Sequence, residues 1–90
     1  MTKKQKTVFE EEYVAQLTRY FYLKEWKERS PENFFVATDA VAEVKGRKEQ
    51  MVDLAKHFLS EDDNLRLRSI AHMKGLALFE QRFPEHPANH

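Results

Sequence analysis

The sequence contains no cysteine, and only two glycines and three prolines occur among its 90 residues. Without cysteine, the chain cannot form a disulfide, a thiol nucleophile, an iron–sulfur cluster or a cysteine-ligated zinc site. No apolar run reaches the roughly 18 residues that span a bilayer. The basic N-terminal segment is followed by acidic residues and not by the apolar core of a secretory signal. These absences favour a cytoplasmic protein without membrane contact.

The chain also lacks an excess of charge, because 15 basic side chains balance 15 acidic ones. Nucleic-acid binders usually carry a basic excess, so such a role would depend on a local asymmetry of charge. A hydrophobic content of 41 % with 33 % charged residues is typical of a globular chain and not of a disordered one. The length predicts a single helical domain over 1–90, with flexible ends at 1–6 and 84–90.

Start and stop signals predict three helices, over about 7–29, 31–59 and 61–83. Thr7 is the predicted N-cap of the first helix because Glu10 follows at the capping-box spacing. Ser30 and Pro31 are typical of the start of the second helix. Ser60, with three acids behind it, is typical of the start of the third. Because the junctions are short, we expect consecutive helices to be antiparallel, which gives an all-α three-helix domain.

Two unusual residues lie in the middle of the second predicted helix. Gly46 costs about 1 kcal/mol relative to alanine in a helix interior, but the apolar positions keep their helical phase on both sides of it. We therefore favour one continuous helix. Lys48 falls within the apolar face, where its stem can pack while its ammonium reaches the edge. The alternative is a buried ion pair with Glu10 or Glu28.

The first and third predicted helices carry apolar residues on more than one side, and such helices expect several neighbours. The principal faces comprise Phe9, Tyr13, Val14, Leu17, Tyr20 and Phe21 on the first helix, and Leu65, Ile70, Met73, Leu76, Ala77, Phe79 and Phe83 on the third. A second face on each helix favours a homodimer with a shared four- or six-helix core. The alternative is that another helix of the same chain covers it. The residues assigned to the predicted interface are Val8, Ala15, Tyr22, Trp26, Leu67, Ala71, Gly75 and Leu78.

Within this predicted interface, Tyr22 and Trp26 are the strongest candidates for a central pair. They lie one turn apart on the first helix, and large aromatic side chains are enriched at the centres of interfaces. Their alternative role is to cap the core of a single subunit.

The sequence shows no pattern that indicates catalysis. The four histidines, His57, His72, His86 and His90, do not form a zinc motif of the His-Glu-x-x-His type. Two of the three serines are explained as helix caps, and the acidic clusters lie at helix starts, where acids are expected. No glycine-rich phosphate loop is present. We therefore predict no enzyme activity, no cofactor and no metal.

The function predicted from these features is that of a small adaptor or regulatory module that acts by protein–protein contact, as a homodimer and with an unidentified protein partner. The alternative is a nucleic-acid-associated regulator. Its candidate phosphate contacts are Lys45, Arg47, Lys48, Arg66 and Arg68. Aromatic residues do not interleave with these bases, as a platform for single strands would require.

Overall fold

The computed structural model describes residues 2–85. Over that range the chain forms α1 (Lys3–Arg29), a short 3₁₀ turn (Pro31–Asn33), α2 (Thr38–Phe58) and α3 (Glu61–Arg82). The all-α three-helix fold predicted from the sequence is confirmed. The predicted flexible tail, including His86 and His90, lies outside the described residues from position 86 onward.

The first helix begins four residues earlier than its predicted first residue. Thr2 is the N-cap: its Oγ1 accepts from the Gln5 backbone N–H at 3.1 Å, and the Gln5 Oε1 accepts from the Thr2 N–H at 2.9 Å. This reciprocal capping box starts α1 at Lys3. Thr7 lies inside the helix, where its hydroxyl donates to the Lys3 carbonyl at 3.1 Å. The predicted start at Thr7 is therefore wrong.

The second helix begins later than predicted. Ser30 is fully buried, and its hydroxyl donates to the Glu32 carboxylate and accepts from the Asn33 amide, each at 3.2 Å. These local bonds close a single 3₁₀ turn and do not cap an α-helix. The backbone leaves the helical conformation at Phe34 and α2 starts only at Thr38. The helix then runs without a break through Gly46, as predicted.

The third helix follows its prediction closely. The Ser60 hydroxyl accepts from the Asp63 backbone N–H at 3.1 Å, and three acidic residues occupy the first turn. The helix ends at Arg82, two residues before Pro84. Proline cannot continue a helix because it lacks the backbone N–H.

The helix α1 is the central element, since it packs against both other helices while α2 and α3 contact each other little. Phe9 near the start of α1 contacts Phe58 at the end of α2, at 5.6 Å between ring centroids. Conversely, Trp26 near the end of α1 contacts Phe34, which precedes α2, at 5.1 Å. The helix α2 is therefore antiparallel to α1, and α3 runs parallel to α1. Consecutive helices are antiparallel, as predicted.

The core has two centres along α1. The first joins the residues Tyr13, Leu17, Ala55, Leu67 and Ala71, all at most 5 % exposed. The second lies at the far end, where Trp26 and Phe79 are buried. Leu65 and Met73, which were assigned to the principal face of α3, are 63 % and 69 % exposed. For these two residues the assignment is wrong, because α3 packs mainly on α1 through Leu67, Ala71, Gly75 and Phe79.

Candidate interaction surfaces

The helices α1 and α3 approach each other closely at Gly75. A Cβ atom built on this glycine would lie 2.8 Å from the Phe21 Cβ, 3.0 Å from the Tyr22 backbone N and 3.1 Å from the Thr18 carbonyl O. The side chains one and two turns before it, Ala71 and Leu67, are also buried. Ala71 and Gly75 pack against α1 within a single chain, whereas Leu67 also lines a recess between the two helices. Small residues permit this approach of two backbones.

Trp26 also belongs to the core of a single chain. It is 6 % exposed, and its ring lies 5.1 Å from that of Phe34 and 5.5 Å from that of Phe83. The Arg82 guanidinium lies 4.6 Å from the Trp26 ring centroid, in cation–π geometry. This burial favours the alternative role of Trp26, in the core of a single subunit. Phe34 and Phe83, which cover Trp26, lie just outside the helices. Helical periodicity therefore could not predict that they contact it.

The remaining predicted interface residues stay accessible. Val8 is 59 % and Leu78 42 % exposed, Ala15 is exposed and Tyr22 is half-buried. Ala15, Tyr22 and Leu78 line an open, mostly apolar recess of about 640 Å³ between α1 and α3, which we call the α1–α3 groove. The other lining residues are Glu10, Glu11, Val14, Thr18, Arg19, Leu67, Ile70 and Lys74.

Charge is distributed unevenly along the α1–α3 groove. Glu11 lies towards the start of α1, whereas Arg19 and Lys74 lie further along the parallel helices. Among the ion pairs of residues 2–85, none involves these three side chains. Glu10, at the same end as Glu11, is bonded to Arg66. The groove thus has an acidic end and a basic end.

The structure does not gather the candidate phosphate contacts into one site. Arg47 is paired with Glu43 at 2.6 Å. Arg66 is paired with Glu10 and Asp63, both at 3.4 Å. No contact in the described part of the chain joins these α2 and α3 bases to each other.

Lys48 makes a contact that the sequence analysis did not anticipate. Its Nζ lies 4.5 Å from the centroid of the Tyr20 ring, and the residue is half-buried. Glu10, one of the two anticipated partners, is instead bonded to Arg66. The lysine therefore makes a cation–π contact across α1 and α2. A tyrosine facing a lysine carries no sequence signal until the register of the two helices is known.

Polar contacts fix α1 against the start of α3. The Tyr13 hydroxyl donates to the Asn64 Oδ1, and burial raises the pKa of Tyr13 above its ordinary value, partly opposed by the positive charge of Arg68. Hydrogen bonds from Lys6 and Arg66 lower the pKa of Asp63. These contacts fix the position of α3 along α1. They thereby determine which residues of the two helices face each other across the groove.

A second recess, which we call the α1–α2 pocket, has a volume of about 160 Å³. Its lining residues are Tyr20, Leu23, Lys24, Lys27, Phe34, Val41, Val44 and Lys45. Five of the eight are apolar or aromatic and the remaining three are lysines. The pocket is therefore an apolar recess with a cationic rim.

Across residues 2–85, no group of three or more histidine, aspartate or glutamate side chains is placed to hold a metal ion. Within the same range, no helix is long and apolar enough to cross a membrane. Comparison with known proteins gives no match, because no family model, curated protein or solved structure is similar to this chain. Its accessible surfaces are therefore the basis for inferring function.

Proposed function

We propose that this protein is a small, non-catalytic helical module that acts by protein–protein contact and pairs with a second copy of itself through the α1–α3 groove. The observation that carries the proposal is the groove itself, an open apolar recess with the unpaired Glu11 at one end and the unpaired bases Arg19 and Lys74 at the other. Apolar surface that is accessible and rimmed by charge marks interaction sites on soluble proteins.

The distribution of charge favours a second copy of the chain as the occupant. In a two-fold dimer the same patch serves both partners, so each end of the patch meets the opposite end of the other copy. When two grooves meet in antiparallel orientation, Glu11 of one chain faces Arg19 and Lys74 of the other. Opposite charges then come together at both ends. A parallel arrangement would instead oppose like charges.

The spacing of residues along α1 agrees with a two-fold axis near Ala15. Val8 lies seven residues before Ala15 and Tyr22 seven residues after it, so all three share one face of the helix. An antiparallel crossing at Ala15 would bring Val8 of each chain against Tyr22 of the other. Because Ala15 is small, it would allow close approach at the crossing point. Burial of the exposed Val8 side chain, at 59 %, would contribute to association.

Charge reversal at one end tests the proposal. Glu11→Lys makes both ends of the groove basic, and Arg19→Glu/Lys74→Glu makes both ends acidic. Each variant alone should lose self-association because like charges now face each other. An equimolar mixture of the two should recover association as a heterodimer, since the charges are again complementary. Light scattering of each variant and of the mixture measures these masses.

A matched control is Glu49→Lys on α2, an exposed residue outside the groove. This variant should associate like the wild type. Circular dichroism should show the same helical content in every variant, since all the altered residues are exposed. Failure of the mixture to associate, when both variants are folded, would contradict pairing through the groove.

The competing proposal is binding to nucleic acid through the candidate phosphate contacts. Arg47 and Arg66 are held in ion pairs, which weakens that alternative. It would show itself as retention on heparin at low salt that falls steeply as salt is raised, because phosphate binding releases counterions. Equal elution of the wild type and of Arg47→Gln/Arg66→Gln at low salt would count against it.

A further inference from the structure

The α1–α2 pocket has the composition of a ligand site and takes no part in the proposed dimer. Its lining residues and those of the α1–α3 groove do not overlap. Leu23, Phe34 and Val41 are half-buried and Val44 is buried, so the walls are packed by the fold itself. The volume of about 160 Å³ is below the range of about 300–1,000 Å³ usual for drug-sized ligands. The recess therefore suits a small apolar group.

The rim of this pocket concentrates positive charge in a chain with no net charge. Lys24 and Lys27 project from α1 and Lys45 from α2, all exposed and lining the same recess. Within the described part of the chain, none of these three lysines is in an ion pair. Lys48, three residues after Lys45, adds a fourth ammonium beside the Tyr20 wall.

Such a cluster has an energetic consequence. Like charges three or four residues apart on a helix repel each other, and Lys24 with Lys27, and Lys45 with Lys48, are two such pairs. An anion placed between the two helices would relieve the repulsion and accept charge-assisted hydrogen bonds. The alternative is that the lysine stems merely cover the apolar walls while the ammonium groups remain in water.

We propose that the α1–α2 pocket binds a small amphipathic carboxylate. The apolar body of the ligand fills the recess against Leu23, Phe34 and Val41. Its carboxylate accepts hydrogen bonds from the rim lysines. Both halves of the ligand are needed, because the apolar walls provide contact area and the lysines select the negative charge.

The experiment compares three probes with the same tail and different heads: octanoate, octan-1-ol and octylammonium. Titration calorimetry gives their affinities, and Trp26 fluorescence gives a second signal because its ring contacts the pocket residue Phe34 at 5.1 Å. Octanoate should bind at least about tenfold more tightly than either other probe, since a hydrogen bond to a charged group is worth more than the 1.4 kcal/mol of one decade.

A lysine variant tests the rim. Lys24→Gln/Lys27→Gln/Lys45→Gln should weaken octanoate binding by about tenfold or more and leave octan-1-ol unchanged. Lys3→Gln/Lys4→Gln/Lys56→Gln removes the same charge elsewhere and should bind octanoate like the wild type. Equal affinity for all three probes, no binding of octanoate, or undiminished binding by the rim variant would each overturn the proposal. Capture of heparin by these same lysines without octanoate binding would overturn it as well.

Discussion

Gly75 of α3 meets Phe21 of α1 so closely that a Cβ atom on the glycine would lie 2.8 Å from the Phe21 Cβ. Two backbone atoms of α1, the Tyr22 N and the Thr18 O, lie only slightly further from that position, at 3.0 and 3.1 Å. Backbone atoms in a packed helix cannot move aside cheaply. The distance between α1 and α3, and the shape of the groove between them, therefore depend on the absence of a side chain at Gly75.

Gly75→Ala should destabilise the protein. Overpacking a tight contact costs about 1–3 kcal/mol. This cost exceeds the gain in helix propensity, which is about 1 kcal/mol when alanine replaces glycine. Urea denaturation of the variant and the wild type measures the difference. Gly46→Ala is the matched control, because nothing lies within 4 Å of a Cβ built there, and it should stabilise by about 0.5–1 kcal/mol. A stabilising Gly75→Ala would mean that the two helices are not in close contact.

Trp26→Ala should lower the free energy of unfolding by about 3–5 kcal/mol, because a buried aromatic side chain is removed and a cavity remains. The loss should be equal at two protein concentrations, since Trp26 is covered by its own chain. Trp26→Phe should lose less, because it keeps a ring and removes an indole N–H that is buried without an acceptor. Weaker association with unchanged unfolding of the chain would instead place Trp26 at an interface.

Lys48→Met should cost about 0.5–1 kcal/mol, the usual value of a cation–π contact near the surface. The same change in a Tyr20→Leu background should cost nothing, so a double-mutant cycle isolates the contact. Chemical denaturation of the four proteins provides the measurement. A loss above about 2 kcal/mol would indicate a buried ion pair, because breaking such a pair leaves an uncompensated charge.

Tyr13→Phe should cost about 0.5–1.5 kcal/mol at neutral pH, because it removes the hydrogen bond to Asn64. It should also change the pH dependence of stability. Burial raises the pKa of Tyr13 above its ordinary value of 10.0, so the protonated form is favoured in the folded chain. The resulting stability is fully present below pH 10.0 and is lost as pH rises through the folded pKa.

Denaturation from pH 7 upward tests whether the contribution of Tyr13 to stability falls as pH rises. The difference in stability between the wild type and Tyr13→Phe should shrink above pH 10, while Tyr22→Phe, a control in the α1–α3 groove, should follow the wild type. A difference that is constant across this range would show that Tyr13 is not buried against α3.

Asp63 gives the opposite dependence at low pH. Hydrogen bonds from Lys6 and Arg66 lower its pKa below the ordinary value of 3.8, so its contribution is present above that pH and is lost as pH falls through the folded pKa. Asp63→Asn should therefore reduce acid sensitivity below about pH 4 and have a small effect at neutral pH, since these pairs are exposed. Thermal unfolding of the wild type and of Asp63→Asn at pH 7 and pH 3 measures this difference in acid sensitivity. An unchanged acid dependence in Asp63→Asn would contradict the bonds to Lys6 and Arg66.

The sequence predicts the number of helices because caps and proline are local signals. Ser60 followed by acids, and Pro84 at the other end, bound α3 to within one residue of the observed helix. The predicted starts of α1 and α2 are wrong because a different local arrangement of hydrogen bonds forms at each. The capping box of Thr2 and Gln5 displaces that of Thr7, and the bonds of Ser30 close a turn instead of a helix.

The faces of the helices could be predicted less well, because periodicity identifies apolar sides but does not say which neighbour covers each. On α3 the bulky residues Leu65 and Met73 are exposed, while the small residues Ala71 and Gly75 are buried. Close approach of two helices favours small residues over large ones. The accessible remainder of the predicted interface, with Val8 and Tyr22, could be separated from the core only once α3 was positioned.

The mass of the wild-type chain in solution tests pairing through the α1–α3 groove most directly. Sedimentation equilibrium at micromolar concentration should give twice the mass of a single chain, because both the apolar recess and the complementary ends are then covered. The mass should shift towards the single chain on dilution or at high salt, which screens the charged ends. A single-chain mass that persists to millimolar concentration at low salt would contradict the account.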